Sequence, residues 1–559
     1  KAFFIGASHS QEDGWRDFSP TRATQVFADA RYRNENSEVN LSLTYANTDL
    51  IGNGPAPDSL IAVDRRAIFT QPDRTRNTLW MLSTGAKLQT GDEAQLTALI
   101  YQRRSDIKTL NGDASAYDEC GNLPGFVCQP GTNQVALDQN GVAIIFTPQV
   151  DGGALNRSDT EQVGRGVALQ WVSTTSLQHR ENHFLIGASI DHSDSKFGSN
   201  TELGSFDATR AAIGSGEFAS DAQVGLKTSA NNYSVFFSDT FSISQQTAVT
   251  AAGRYFRQSI GLRDQLGTEL NGDHRFSRFN PSLGIATQIG NFATAYASYA
   301  ESSRTPSPVE LTCANPGDPC RLPNAFLTDP PLDQVIAKTF EAGLRGKWKN
   351  NHWHIGAFRT INHYDIIFVS AGALTNEGYF TNVRATQRQG IEVLIKGATN
   401  GKLGWFLNYT FLDATFQDDL QIASANNPLA TNGVIDVHRG DRLPSAPRHL
   451  AKLGFDWDLH RWLLSADVHY ASSQFARGDE ANLLSPLPAY VVVNAQIGYR
   501  FTDKAALDLS VRNVFDNDYA TFATFGQSGD VLGTAPKSER FSTPAAPRSV
   551  WIALRVGFN

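Results

Sequence analysis

The last ten residues, VWIALRVGFN, alternate between two kinds of side chain. The even positions are all apolar, whereas the odd ones include an arginine: Val550, Ile552, Leu554, Val556 and Phe558 against Trp551, Ala553, Arg555, Gly557 and Asn559. Successive side chains of a β-strand point to opposite faces, so this strand separates an apolar medium from a polar one. A half-buried strand of a soluble protein would alternate in the same way. The pattern recurs along the chain between short turns and long connections, which favours a transmembrane β-barrel.

Composition agrees with a barrel and argues against other classes. Hydrophobic residues make up 41% of the 559 residues, yet no segment approaches the roughly 18 uncharged apolar residues of a membrane-spanning helix. A helical membrane protein is therefore excluded, whereas a barrel hides its apolar residues because every second one faces the lumen. The net charge of −8 is spread along the chain without a basic tract, which argues against a nucleic-acid partner.

Turns and loops alternate in a way that predicts the topology. Short turns are expected at NEN, QTGDE, SLQHRE, ISQQT, QIGN, WKNNH, ATNGK, DLHR and FTDK. Long connections are expected near 48–74, 105–160, 193–229, 259–277, 301–335, 414–446, 473–489 and 516–546, with a shorter one near 370–378. The fold is predicted to be all-β, a transmembrane antiparallel barrel with about 20 strands of 9 to 15 residues. Connections without a fixed period argue against a propeller or a β-helix. Short turns are expected on the periplasmic side and long loops outside.

The strands predict a lipid-facing side and a charged lumen. In TFEAGLRGKW, Phe340, Ala342, Leu344 and Trp348 are expected to face lipid. The charges expected to face the lumen or a plug are Glu341, Arg345, Lys347, Glu392, Lys396, Lys452, Asp456, Asp508 and Arg512. Such charges need water or partners, and about 20 strands enclose room for a channel or a plug. Aromatic girdles at both interfaces are expected from Trp80, Tyr101, Trp171, Trp348, Trp353, Trp457, Trp462, Tyr490 and Trp551.

Four cysteines form two local pairs, Cys120 with Cys128 and Cys313 with Cys320, each in a segment rich in Gly, Pro and Asn. Neither pair has CxxC spacing and no histidine lies close in sequence, which argues against a metal site. We therefore predict two disulfides that staple extracellular loops, which places the protein in an oxidising compartment.

Several stretches resemble the barrel of TonB-dependent outer-membrane transporters. They are YAESSRTPSPVEL at 299–311, RQGIEV at 388–393, LPSAPRHLAKLGFDW at 443–457 and VRNVFDNDYATF at 511–522, with Asn513, Phe515, Asp516 and Tyr519 as the signature residues of the last. The resemblance covers nearly all of the chain and implies a location in the outer membrane of a Gram-negative bacterium. It also implies that Phe558 serves as the assembly signal, shifted by one residue from the usual terminal position.

The same resemblance implies parts that this sequence does not contain. Members of the family have a signal peptide, a TonB-contacting box and a globular plug, followed by 22 strands. We therefore expect residues 1–559 to form the barrel from about its third strand onward, with the plug and the first hairpin missing. The first and last strands are then not expected to pair fully, and the gap between them is expected to be about two strands wide.

The function implied by the resemblance is TonB-energised uptake of a scarce small ligand. The expected partners are the TonB complex, acting through the missing N-terminal part, the ligand itself, and outer-membrane lipid or lipopolysaccharide; the protein is expected to be a monomer without a cofactor. A metal chelate such as a ferric siderophore could be bound by cations of the outer loops. The candidates are Arg304, Arg321, His438, Arg439, Arg442 and Arg477. The alternative is that these arginines pair with neighbouring aspartates.

Other functions are left open or argued against by the sequence. Uptake of another cofactor or a sugar remains open, as does a passive or structural barrel, although a porin normally has 16 to 18 strands. Catalysis is not expected, because GxSxG, HExxH and phosphate-loop motifs are absent, and His438, Asp441 and Ser445 lie in a polar loop. His352 and His354 lack a third ligand, so no metal site is predicted there.

Overall fold

The computed structural model describes residues 1–52, 54–313, 320–321, 332–370, 377–399, 401–535 and 537–557; at 320, 321, 370 and 377 it describes the backbone alone. Phe558 lies outside the described residues. Twenty long strands form one sheet: β1 Ala2–Glu12, β2 Thr21–Arg33, β3 Ser37–Ile51, β4 Asp73–Gly91, β5 Ala94–Ala114, β6 Gly153–Leu177, β7 Arg180–Phe206, β8 Val224–Ser242, β9 Thr247–Asp264, β10 Gly272–Ile289, β11 Ala293–Arg304, β12 Val335–Trp348, β13 Asn351–Ser370, β14 Glu377–Thr399, β15 Leu403–Phe416, β16 His449–Leu459, β17 Trp462–Ala471, β18 Tyr490–Thr502, β19 Ala505–Arg512 and β20 Ser549–Val556.

Each strand from β1 to β19 pairs antiparallel with the next one in the chain. Two short strands, Ala212–Phe218 and Cys320–Arg321, extend this sheet. In the connections, a three-stranded sheet is formed by Ala56–Pro57, Ala520–Gln527 and Ser538–Pro544. Two-stranded sheets are formed by Asp118–Glu119 with Val127–Cys128 and by Leu420–Ala423 with Val434–Val437. The helices are Asp58–Val63, Pro308–Leu311 and Gly529–Leu532, with a 3₁₀ turn at Ser220–Ala222. In the described part of the chain, no helix has the length and apolar character needed to cross a membrane.

Short and long connections alternate without exception. The nine turns at one end of the sheet have two to four residues and coincide with the nine predicted turns, whereas the ten connections at the other end have six to 38 residues. The all-β class, the antiparallel topology and the number of about 20 strands are therefore confirmed.

The predicted strand lengths are wrong for much of the sheet. Gly153–Leu177 and Arg180–Phe206 have 25 and 27 residues, against the 9 to 15 predicted. A strand needs only about 9 to 11 residues to cross the bilayer, so the remainder of each of these strands extends beyond it. There the strands continue into the long connections, which is why the connection predicted at 259–277 shrinks to 265–271.

The two faces of the sheet differ as predicted. Phe340, Leu344 and Trp348 are exposed on one face, and the alternation places Glu341 on the other, where the Tyr296 hydroxyl donates to it at 2.8 Å. Trp348 and Trp353 flank one short turn, and Trp457 and Trp462 flank another, as an interface girdle requires.

Three aromatic residues are wrongly assigned to the girdle by the sequence. Tyr101 donates to Asp191 at 2.7 Å and lies on the face opposite that of exposed Ile100. Tyr490 and Trp551 line an interior cavity together with Arg512. Tyr490 and Trp551 lie near strand ends, but in all three cases alternation turns the side chain away from lipid.

Much of the apolar core lies at the end with the long connections. Loop 115–152 packs Tyr117, Val127 and Ile144 against Leu203 of β7. Cys120 and Cys128 in this loop form a disulfide with their Cα atoms 4.9 Å apart, as predicted. Cys313 is disulfide-bonded as well, but the side chain of its predicted partner, Cys320, lies outside the described residues, so that pairing stays a prediction.

The first and last strands do not form a ladder with each other in the described residues, as expected. A contact between two connections instead links the two ends of the strand order: Ala56 and Pro57, after β3, pair with Ser542 and Phe541, before β20. Asp58 accepts hydrogen bonds from Arg540 Nε at 2.6 Å and from Ser542 at 2.5 Å. The expected width of the gap stays a prediction.

Candidate functional site

The lumen wall presents the predicted inward charges, and the structure gives some of them partners. Glu341 accepts a hydrogen bond from Tyr296, whose hydroxyl also lies 2.7 Å from His354 Nε2. Arg345 lies over the Tyr296 ring at 5.9 Å and Lys452 over the Phe406 ring at 5.7 Å. In the described part of the chain, the side chains of Glu392, Lys396 and Arg512 make no ion pair or hydrogen bond.

A large interior cavity connects two of these charges. Lys452 and Arg512 line a cavity of about 1250 Å³ together with Asp467 and His469, whose carboxylate and imidazole Nε2 lie 2.5 Å apart. Glu12 and Trp15, at the far edge of the sheet, line the same cavity. The sheet therefore curls until its two edges border one polar space.

Three long connections pack into one body that we call the late-loop cluster: 417–448, 472–489 and 513–548. Ser424 Oγ and Asn427 Nδ2 both donate to the Gly478 carbonyl, at 2.6 and 2.9 Å, and Arg477 N donates to Ala523 O. Gly478 has a φ of 88°, a left-handed conformation that glycine adopts without strain. This turn brings the three loops together.

Two of the predicted ligand-binding arginines lie in the late-loop cluster on aromatic rings. The exposed Arg477 guanidinium lies 5.6 Å from the Phe368 ring and 5.4 Å from the Phe522 ring. Arg442 lies 5.3 Å from the Phe475 ring, and burial together with Arg448 lowers its pKa. Neither guanidinium forms an ion pair among the described residues, although Arg442 interacts electrostatically with Asp413 and Arg477 with Glu480. Their role in ligand binding stays a prediction.

The other candidates are placed differently. His438 lies 3.6 Å from Asp419, while its backbone N–H donates to Asp441; Arg439 is exposed in the same loop. Arg304 is paired with Glu310 at 2.7 Å, an acid as in the alternative but a glutamate and not an aspartate. The side chain of Arg321 lies outside the described residues.

A cavity that the sequence did not single out lies beside Arg304. It has a volume of about 600 Å³ and is lined by Asn232, Arg254, Gln258 and Asn280. Arg254 lies 5.7 Å from the Phe236 ring and donates to Ser234 at 2.9 Å. The alternation in GRYFRQSI would have placed Arg254 on the polar face. The aromatic rings that contact Arg254, Arg442 and Arg477 could not have been found without the fold; they are those of Phe236, Phe475, Phe368 and Phe522.

The late-loop cluster also holds a buried acid. Glu480 is 6% exposed. Its Oε1 accepts from Gly478 N at 3.0 Å, while Oε2 has no hydrogen-bond partner within the described residues. Burial raises the pKa of Glu480 to about 7, since the desolvated carboxylate is disfavoured. Among the described residues, no group of three His, Cys, Asp or Glu side chains is arranged to hold a metal ion.

Glu480 should make the late-loop cluster less stable at alkaline pH. Its pKa is raised on folding, so the folded state binds the proton more tightly. The stability of the cluster therefore falls as the pH rises from 4.5, the ordinary pKa of a glutamate, through about 7, the pKa in the folded state. The loss amounts to roughly 3 kcal/mol at most. Hydrogen exchange across 472–489, corrected for intrinsic rates, should accelerate between pH 5 and 8.5 in the wild type but not in Glu480→Gln.

Glu217→Gln, which replaces an exposed glutamate of another connection, serves as the control and should keep the wild-type pH dependence. Equal pH dependence in Glu480→Gln and the wild type would show that another group is responsible.

Comparisons with known proteins agree with this geometry. The family model described as TonB dependent receptor-like, beta-barrel matches residues 14–514, and no curated protein matches the chain significantly. The siderophore receptor PiuA from Acinetobacter baumannii is similar in structure, with 14% identity, a TM-score of 0.72, and coverage of 99% of this chain and 77% of that one.

Two further solved structures are similar to the same extent. The ferric yersiniabactin uptake receptor FyuA from Yersinia pestis has 12% identity, a TM-score of 0.72, and coverage of 100% of this chain and 76% of that one. The ferric-catecholate import receptor Fiu from E. coli K12, in its closed form, has 14% identity, a TM-score of 0.68, and coverage of 99% and 77%. These likenesses concern the fold. With a match over most of its length, the chain belongs to the family of TonB-dependent receptor-like β-barrels, which are receptors and transporters and not enzymes.

Proposed function

We propose that this chain is the barrel of an outer-membrane receptor that takes up an anionic metal chelate, most simply a ferric siderophore, with energy from TonB. The observation that carries the proposal is the late-loop cluster, where Arg442 and Arg477 lie on aromatic rings and form no ion pair within the described residues. An arginine of this kind can form charge-assisted hydrogen bonds to an anionic ligand, while the rings beside it pack against flat apolar groups.

The fold supports such a role in a second way. All ten long connections lie at one end of the sheet, directly above a lumen whose wall carries Glu341, Arg345 and Lys452. The three similar proteins described above are named as receptors for siderophores or ferric chelates. A ligand captured by the loops would therefore enter a polar passage.

Energy coupling is proposed to act through a plug domain that fills the lumen and contacts TonB. Glu392, Lys396 and Arg512 have no ion pair or hydrogen bond within the described residues, and the cavity at Lys452 is large enough for polar side chains of such a domain. Two further strands are proposed to close the sheet between β1 and β20. The protein is proposed to act as a monomer in the outer membrane.

The proposal is tested by binding measurements on the full-length protein with three groups of compounds. These are ferric catecholate, hydroxamate and citrate chelates, their iron-free forms, and neutral oligosaccharides. Micromolar or tighter binding of an anionic ferric chelate supports the proposal. Preference for a neutral sugar, or binding that is independent of the metal, would contradict it.

A further inference from the structure

The outer wall of the sheet carries two arginines that neither the lumen nor the loops use. Arg257 of β9 alternates with Tyr255, and Arg275 of β10 alternates with Phe279, so both guanidinium groups lie on the face that carries exposed Tyr255 and Phe279. Arg257 is paired across the strands with Ser277, and Arg275 with Ser259. The two arginines are therefore neighbours on the outside of the barrel.

Their height along the strands places them at the edge of the apolar band. Toward the short turn, this face of β9 continues through Tyr255, Gly253, Ala251 and Val249. The outer face of β10 likewise continues through Phe279, Pro281, Leu283 and Ile285. A barrel presents lipid with an apolar band about 25 Å tall that ends in aromatic residues. Arg257 and Arg275 lie beyond Tyr255 and Phe279 on the side of the long connections, at the level of the outer-leaflet headgroups.

A groove leads from these arginines down into the band. It has a volume of about 640 Å³ and is lined by Ile190, Tyr233, Val235, Tyr255, Arg257 and Arg275. Ile190, Tyr233 and Val235 are about half exposed, at 54%, 50% and 54%. One end of the groove is thus cationic and the other apolar.

Neither arginine has a partner within the described residues. The acid nearest in register on this face is Asp273, and its carboxylate is bound by Arg263 at 2.8 Å. Asp194, on β7, is bound by His192. Two adjacent guanidinium groups without acids repel each other unless an anion lies between them, and phosphate matches the geometry of their N–H groups.

We propose that this groove binds the phosphorylated headgroup of an outer-leaflet glycolipid, the lipopolysaccharide type. The phosphate is held between Arg257 and Arg275, and an acyl chain lies along Ile190, Val235 and Tyr233. A soluble anion would have no use for the apolar half of the groove, and a zwitterionic phospholipid would leave the positive charge only partly balanced. The inference rests on the proposed outer-membrane location but not on the identity of the transported ligand.

Binding of bisphosphorylated lipid A to the purified full-length protein in detergent, followed by native mass spectrometry, tests the site. Arg257→Gln with Arg275→Gln should weaken binding about 30-fold, because each of the two charges contributes as much as a basic residue at an anionic lipid surface. Arg257→Lys with Arg275→Lys should retain most of the affinity, and dephosphorylated lipid A should bind the wild type about as weakly as the glutamine variant binds the phosphorylated form.

Arg263→Gln with Asp273→Asn is the matched control, because these two residues pair on the same face of the same strands and their joint replacement leaves no free acid beside Arg275. It should bind lipid A like the wild type, and heat-modifiability on gels should show that all variants are folded. Equal lipid A binding by the glutamine variant, equal binding of dephosphorylated lipid A by the wild type, or displacement by millimolar inorganic phosphate would each overturn the proposal. Chelate binding should be unchanged in the glutamine variant, so failure of the lipid site and failure of the proposed transport function are distinguishable.

Discussion

Replacing Arg442 and Arg477 together by glutamine is expected to weaken binding of the anionic chelate by about 100-fold or more. A hydrogen bond to a charged group contributes about 1.5 to 3 kcal/mol, and the variant loses one from each arginine. Arg477 is exposed and held between Phe368 and Phe522, so its guanidinium is oriented before the ligand arrives and little ordering entropy opposes binding. Titration of the full-length protein with the ferric chelate, followed by tryptophan fluorescence, measures the effect.

The control for this experiment is Arg384→Gln. Arg384 is 84% exposed and pairs with Asp418 at 3.3 Å, next to the late-loop cluster. It should leave the affinity within about twofold, because exposed ion pairs contribute little. If the Arg442 and Arg477 variant retained wild-type affinity while Arg384→Gln did not, the site would have to be moved to another part of the loops.

Thermal unfolding separates loss of the site from loss of the fold. Arg442 packs on Phe475 and donates to Ala446 O at 3.2 Å, so its replacement could loosen the loop. A second variant, Arg477→Lys, keeps the charge but removes the planar group that lies on the two rings. It should lose part of the affinity without a change in unfolding temperature.

The sheet could be predicted because its signals are local. Alternation in VWIALRVGFN and TFEAGLRGKW depends only on the pleat of a strand, and turns such as QTGDE and WKNNH need only polar residues between two alternating runs. These signals gave the strand number, the topology and the polar face that carries Glu341. They could not give the strand lengths, because the alternation does not change where a strand leaves the membrane and enters the loops.

The site was predicted less well because it depends on contacts between distant residues. Arg477 was a candidate only as a loop cation. Phe368, on β13, and Phe522, in the connection after β19, hold it. Arg304 had the same signal but pairs with Glu310 through a capping turn at Ser307. Tyr490 and Trp551 resembled girdle residues and instead line the lumen. In each case, the role of the side chain depends on which residues it contacts across the sheet or between loops.

The second large effect is expected in ion conduction. Residues 1–559 alone, inserted in a planar bilayer, should form a large and weakly selective pore, whereas the protein with its proposed plug should conduct little, with a difference of at least about tenfold. The reason is the lumen: Lys452, Arg512, Asp467 and His469 border a polar cavity of about 1250 Å³ that stays filled with water when no domain occupies it. Single-channel recording of both proteins at the same voltage measures the difference.

The inward charges provide a control for this experiment. Lys396→Gln and Arg512→Gln remove two positive charges that have no partner in the described residues, so they should shift the selectivity of the plug-free pore toward cations without changing its size. Because a plug would supply partners for these same charges, the variant should also leak more in the protein with the plug. If the barrel alone conducted as little as the protein with the plug, the loops of the barrel themselves would close the lumen. The unpaired charges would then need another explanation.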